Sequence, residues 1–371
     1  MKNLIVTLLS DQPIPNVQFI KEKQNADTYF LFVSTQKMED KGVGKWIQKV
    51  CNIPTETSNT IVVDQFSPID IESKLNEISY DEFDDIIVNV TGGTKIMSHT
   101  VTEFFKEKPD TEIFYLTGLD NIIIQVFPKT KQPEKSLIKT ISLKEYIESH
   151  GFEMRESRLS GIDPTYTQSF FNYFIEFNDD EIRIINQLRG NRGKTAGMNE
   201  IPGIKDFFLK IKFPLSDENF TLINKKEIKY LTGDWLEEYV FFRLKQELPI
   251  IDENLKTGIT LIKNKILNEF DILFLWNGSL YTIECKTSIK YTSNEEKEEN
   301  FLNDTIYQAT ALQKNLGLYS KFSIFTLSSK EKNEVKETHV ERGKLVNIDV
   351  FCREDIISCK SMIELLKLKL C

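Results

Sequence analysis

Residues 268–287 read NEFDILFLWNGSLYTIECKT. Two apolar, β-rich runs flank Asn277-Gly278, the strongest short-range signal for a two-residue type I′ hairpin. With those two residues as the loop, Trp276 pairs with Ser279 and, counting outward, Asp271 pairs with Glu284. The two carboxylates then face each other on one side of the sheet, and Lys286 shares that face. Directly opposed residues hold their Cβ atoms about 4.5–5.5 Å apart. At an effective dielectric near 20, like charges at that spacing repel by about 3–4 kcal/mol, more than the roughly 0–1 kcal/mol that a surface ion pair supplies. A divalent cation held by both carboxylates offsets this; raised carboxyl pKa values are the other route. Solvated edge acids are the plain alternative, but the register and the flanking apolar residues favour a site.

The chain has 371 residues, which suggests two domains and a connector. Hydrophobic residues make up 40% and charged residues 28%, enough apolar content for real cores. The formal net charge of −9 means that nucleic-acid binding must rely on local patches or a metal ion. Cys51, Cys285, Cys352, Cys359 and Cys371 form no CxxC pair and no even framework, so reduced thiols in a cytoplasmic protein are expected. The N-terminal LIVTLLS is too short for a signal core and reads as a buried strand. No run approaches the roughly 18 apolar residues of a membrane helix, so no membrane partner is expected. His99, His150 and His339 share no metal-ligand or catalytic spacing and read as ordinary surface or core residues.

Up to about residue 148, apolar runs at 4–10, 29–35, 60–66, 85–91 and 112–117 alternate with amphipathic segments. That alternation predicts an α/β fold with a parallel sheet covered on both faces, closed by an antiparallel strand at 122–128. Ligands of such sheets bind beyond the carboxyl ends of the strands. LLSDQPIPN (8–16), VSTQK (33–37) and VTGGTKIMS (90–98) all fall there. Gly92 and Gly93 permit close backbone approach, and Thr94, Lys95 and the helix start favour an anion. Neither the GxxxxGK[ST] nor the GxGxxG phosphate spacing is present. GGTK alone would suit a plain turn; three polar turns at one sheet edge favour a phosphate-bearing ligand.

Residues 153–169 read as a polar linker, 170–190 as helical, and RGNRGKTAG (189–197) as a basic loop tip. In the helix at 232–248, Asp234 is a candidate N-cap with Glu237 as its capping-box partner. A strand at 258–263, the hairpin, a helix at 303–316 and a strand at 321–328 follow. The expected boundaries are a sensor domain over 1–148, a helical connector over 149–225 and a catalytic domain over 226–371.

This element order, with Asp271 followed by Glu284-Cys285-Lys286, resembles the PD-(D/E)xK restriction-endonuclease-like nucleases. Gly233-Asp234-Trp235-Leu236-Glu237 matches the GxxxE element of their leading helix. The motif's proline is absent, since Glu269-Phe270 precede Asp271, and Leu312 stands where a QxxxY element beginning at Gln308 would place tyrosine. The N-terminal half, through SDQPIPNVQFI and VNVTGGTKIMS, resembles the CRISPR-associated Rossmann-fold (CARF) sensor domain. The tandem resembles the CARF-domain ancillary nucleases of type III CRISPR systems.

The resemblance implies a homodimer with one cyclic tetra-adenylate across its two-fold axis. Contacts would come from Ser10, Gln12 and Asn16, from Ser34 and Thr35, and from Thr91, Gly92, Gly93, Thr94 and Lys95. It implies Mn²⁺ or Mg²⁺ held by Asp271, Glu284 and Glu237 with the Cys285 carbonyl, and Lys286 beside it in catalysis. Glu237 is preferred over Glu238. The implied substrates are single-stranded RNA and DNA, with nicking of supercoiled DNA. A ligand-sensing regulator that binds nucleic acid without cleaving it is the alternative; paired carboxylates facing phosphate argue against it. A HEPN ribonuclease would need an arginine four to six residues before a histidine, and none stands there. A nucleotide-dependent metabolic enzyme would need the missing phosphate fingerprint.

Overall fold

The computed structural model describes residues 2–118, 122–129, 135–136, 140–156, 159–217, 219–288 and 295–369; Cys371 lies outside them. The N-terminal apolar runs become β1 (Asn3–Leu8), β2 (Thr28–Ser34), β3 (Ser58–Val62), β4 (Asp85–Asn89) and β5 (Thr111–Leu116). They pair in parallel in the order β3-β2-β1-β4-β5. Five of the six residues of β1 are buried, as a strand covered on both faces requires. Antiparallel β6 (Ile122–Phe127) and β7 (Lys135–Ser136) complete the seven-stranded sheet. The strand order reverses between β1 and β4, which opens a crevice at their carboxyl ends.

The helix Leu143–Ser149, started by a Ser142/Glu145 capping box, leads into β8 (Glu153–Glu156). The expected linker therefore begins as a strand, pairing antiparallel with β11 (Leu255–Lys263). Its Glu-Met-Arg-Glu sequence suits a sheet edge, where charge discourages further pairing. The helical run expected at 170–190 divides into Pro164–Ile175 and Asp179–Gly190, because Asn178 and Glu181 form a capping box that restarts the chain. The helix Ile204–Ile211 and a short ribbon of β9 (Ala196–Gly197) and β10 (Leu222–Ile223) follow. Phe170, Phe174, Leu188 and Phe208 from this stretch share one buried cluster with Trp235, Ile272, Phe274 and Ile283. The helices and ribbon from Phe170 to Ile223 thus pack as part of the C-terminal core.

The C-terminal sheet runs β15-β14-β13-β12-β11-β8, with β12 (Ile266–Trp276), β13 (Ser279–Lys286), β14 (Lys321–Thr326) and β15 (Ile348–Phe351). The hairpin pairs Trp276 with Ser279 and Ile272 with Ile283. Asn277 and Gly278 have φ of 48° and 74°, the positive pair that a type I′ turn needs. The chain therefore joins a Rossmann-like domain to a restriction-endonuclease-like α/β domain. Among the described residues, no helix is long and apolar enough to cross a membrane.

The two domains share a continuous apolar cluster running from Phe19 and Phe32 through Tyr146, Ile147 and Phe152 to Leu261, Leu302 and Phe322. A loop before β14 fills the seam. Tyr146 Oη donates to the Leu316 carbonyl at 2.8 Å, and the Leu318 N–H donates to Gln12 Oε1 at 3.0 Å. Gly317, at φ +97°, leaves room where a Cβ would fall 2.8 Å from His150 Nε2. His150 stacks on Tyr146 at a centroid distance of 4.9 Å.

Burial pushes the His150 imidazole down to about 4, with Lys263 acting the same way and the Tyr146 carbonyl opposing. Its folded pKa lies below the unfolded value near 6.5, so its contribution to stability is complete above that value and is lost as pH falls toward about 4. The loss at about pH 5 is roughly 2 kcal/mol. His150→Gln should lose that much less stability than the wild type between neutral pH and about pH 5, measured by urea midpoints. Equal losses would show that His150 does not titrate in this range.

Candidate functional site

Backbone pairing of the hairpin ends at Ile272 and Ile283. One step further, the Asp271 side chain takes over, accepting the Cys285 N–H on Oδ2 at 2.6 Å. Glu284 accepts from Lys286 Nζ. Cys285 points its thiol the other way, into the cluster with Phe274 and Phe325, and burial raises its pKa far above the ordinary thiol range. The two acids and the lysine share one face, and the thiol stays out of their chemistry.

Glu237 comes from the helix Trp235–Glu247. The expected capping box is absent. A turn of wider π geometry, Tyr230–Asp234, runs straight into the helix, and the Asp234 side chain makes no capping bond. With no exposed helix start to cap, Asp234 turns to Lys229 at 3.0 Å. Glu238 is buried and accepts from Ser160 N at 2.5 Å and Ser160 Oγ at 2.8 Å, so it anchors the incoming chain. Glu237 and Asp271 line a cleft of about 690 Å³, whose wall also includes Glu238 and Ser160.

Burial is the main reason that the Glu237 carboxyl titrates well above the usual carboxylate range, and the charges of Asp271, Asp234 and Glu284 add to it. Burial and then Glu284 raise Asp271, against the pull of Lys286 and the Cys285 N–H. The three carboxyl groups sense one another without closing on one point: among the described residues, no group of three or more His, Cys, Asp or Glu is arranged as a ready metal cage. An all-oxygen donor set that includes the raised carboxyls of Glu237 and Asp271 nevertheless fits a hard divalent cation.

At the N-terminal sheet edge, the turns after β1, β2 and β4 lie side by side. Their residues divide into those that face outward and those that brace the turns. Ser10 and Gln12 are half-buried, and Gly93 and Lys95 are exposed. Asn16 is fully buried, and its amide donates to Thr7 Oγ1 and the Leu8 carbonyl, each at 2.8 Å. Ser34 is also buried and donates to Glu39. Thr35 and Thr94 cap the helices Gln36–Lys41 and Lys95–Lys106, accepting from Met38 N and Met97 N. Thr91 accepts from Leu116 N at 2.8 Å. Asn16 and Ser34 are fully buried and shape the edge from beneath. At Gly92 a Cβ would fall 2.1 Å from the Leu8 carbonyl, so the close approach is to β1 itself.

The basic loop at 189–197 is the part of the site that sequence reasoning undervalued. Arg192 Nε donates to Thr232 Oγ1 at 2.8 Å, beside Asp234.

Residues 4–146 match the family model described as the Card1 CARF domain, and residues 224–364 match the Card1-like endonuclease domain. No curated protein matches the sequence. Can2 from Sulfobacillus thermosulfidooxidans, solved in complex with cyclic tetra-adenylate (cA4), is similar at 21% identity and a TM-score of 0.69, over 94% of this chain and 95% of that chain. Protein VC1899 from Vibrio cholerae is similar at 16% identity and a TM-score of 0.72, over 95% of each chain. A type III CRISPR defence DNA nuclease activated by cyclic oligoadenylate shares 13% identity at a TM-score of 0.54, over 88% of this chain and 46% of that one. At these identities the likeness is one of fold. Fold and site define a sensor domain fused to a nuclease domain. The chain pairs a Card1-type CARF domain with a Card1-like endonuclease domain.

The raised Glu237 pKa carries a stability consequence. Because the folded value lies above the unfolded one, its contribution is complete below the ordinary carboxyl range and is lost as pH rises through the raised value. In EDTA, the wild-type melting temperature should fall from neutral to alkaline pH more steeply than that of Glu237→Gln. Mg²⁺ or Mn²⁺ should raise the alkaline melting temperature of the wild type more than that of the variant. Parallel curves for the two proteins would remove Glu237 from the acid cluster.

Proposed function

We propose that the protein is an endonuclease activated by a cyclic oligoadenylate, cyclic tetra-adenylate in particular, that cleaves single-stranded RNA and DNA and nicks supercoiled DNA in type III CRISPR antiviral defence. The observation that carries this reading is the Asp271 carboxyl beside the end of the hairpin pairing, bonded to the Cys285 N–H and raised by Glu284, with the Glu237 carboxyl also raised in the same open cleft. A regulator that only bound nucleic acid would gain nothing from buried acids aimed at phosphate.

Asp271, Glu284 and Glu237, with the Cys285 carbonyl, would hold Mn²⁺ or Mg²⁺. When bound, the ion supplies water activation and polarisation of the scissile phosphate. Lys286 holds its proton against Glu284 and presents positive charge where the phosphate gains negative charge. Glu238 keeps the helix seated through Ser160 and so fixes the height of Glu237 in the cleft.

The activator would sit at the edge formed by Ser10, Gln12, Gly93 and Lys95, with the buried Asn16, Ser34, Thr35 and Gly92 and the half-buried Thr91 and Thr94 setting its shape. A homodimer would place two such edges about one ring. Gln12 belongs to this edge and also accepts the Leu318 N–H of the nuclease domain. A ligand that engages Gln12 therefore has different affinities for different poses of the nuclease domain, which is the requirement for coupling.

The test incubates labelled single-stranded RNA, single-stranded DNA and supercoiled plasmid with Mn²⁺, with and without cyclic tetra-adenylate. Cleavage should need both additions and stop in EDTA. Asp271→Asn and Glu284→Gln should abolish it without loss of thermal stability, because each removes like-charge repulsion. Cleavage that persists in EDTA or in Asp271→Asn overturns the assignment. Lys95→Ala should weaken activator binding by calorimetry and leave the acid cluster untouched; unchanged binding would place the ligand elsewhere.

A further inference from the structure

The GxxxE glycine and the basic loop meet beside the acid pair. The Arg192 guanidinium lies against Gly233, where a Cβ would fall 2.1 Å from Nη2. Gly233 has no positive φ, so backbone conformation does not require glycine there; a methyl group would instead displace the tip of the Arg192 side chain. Arg192 Nη2 is 3.9 Å from Asp234 Oδ1, and Lys229 Nζ is 3.0 Å from Asp234 Oδ2. One carboxylate thus stands between two cations. The Asp234 side chain is 25% exposed, that of Arg192 42% and that of Lys229 67%, so the pair leaves a surplus positive charge facing solvent.

This arrangement is anchored to the catalytic strand. Arg189 Nη2 donates to Thr287 Oγ1 at 3.1 Å, one residue past Lys286, and Thr287 Oγ1 donates to the Thr232 carbonyl at 3.2 Å. The π turn that carries Gly233 and Asp234 is of a kind that proteins retain chiefly at functional positions. Lys229 lines the cleft with Glu237 and Asp271. A chain of net charge −9 with an acid-lined cleft needs local cations to admit a polyanion.

We infer that Arg192 and Lys229 form a phosphate-binding rim that receives the backbone of the nucleic-acid strand at the cleft mouth. Asp234 acts as the positioning residue that holds both cations ready. This rests on the nuclease reading of the cleft. Gly233 leaves room for Arg192 in this position and does not touch substrate.

The test uses the full-length Glu284→Gln protein with cyclic tetra-adenylate present and a fluorescent single-stranded oligonucleotide titrated across a salt series. Arg192→Ala and Lys229→Ala should each weaken binding about five-fold, the equivalent of one exposed charge contact. Each should also make the slope of log K against log salt shallower by about 0.7. Arg192→Lys should keep the slope. Gly233→Ala should reproduce the Arg192→Ala loss, and the double variant should add nothing to it. In the otherwise wild-type enzyme, Arg192→Ala should raise KM with a smaller change in kcat. Unchanged salt slopes, or a lowered melting temperature with the slope intact, would reduce Arg192 to an internal brace and overturn the inference. If the Glu284→Gln protein binds no strand and the wild type cuts none, the nuclease reading has failed and the rim falls with it.

Discussion

Two carboxylates forced to share one face of a two-residue hairpin are the constraint around which the C-terminal domain is organised. The type I′ turn at Asn277-Gly278 fixes the register up to Ile272 and Ile283, so Asp271 and Glu284 follow directly on the last paired residues. The surrounding structure answers that repulsion in several ways. Asp271 is drawn onto the Cys285 N–H, Lys286 is held on Glu284, and the neighbouring carboxyls hold their protons more tightly than free acids do. None of these removes the acids from the cleft. A fold that retains buried like charges at a cleft floor has accepted a cost of order kilocalories for chemistry rather than stability.

The parts of this protein that were readable from sequence are those decided locally. A turn with two positive φ residues announces itself, and so does a strand buried on both faces; the hairpin register and the five parallel strands follow. The misreadings occur where a local pattern competes with a distant partner. Asp234 and Glu237 have the spacing of a capping box, yet Lys229 and Arg192 take Asp234 and the helix starts a turn earlier through π geometry. Asn16 and Ser34 belong to polar turns, but burial and the hydrogen bonds to Thr7, Leu8 and Glu39 are tertiary facts that no window of sequence displays. β8 was hidden because an edge strand made of charged residues has the composition of a loop.

The same limit applies to the boundary between domains. Composition separates a sensor half from a catalytic half, whereas the packing joins them. Tyr146, Ile147 and Phe152 contribute to an apolar cluster that extends into both sheets, and the stretch read as a connector supplies aromatic residues to the nuclease core. A domain edge defined by sequence pattern marks a change of periodicity. It does not mark a break in the hydrophobic contacts that hold the chain together.

Gly317 shows what this means for the history of such a chain. Its φ of +97° and its missing side chain are dictated by His150 and Tyr146, residues of the other half. A recombination that placed this sensor before a foreign nuclease would set an ordinary residue against a buried imidazole, and the seam would not close. The two sides of the seam are thus a matched fit, and a side chain at Gly317 would need room made for it at His150 and Tyr146.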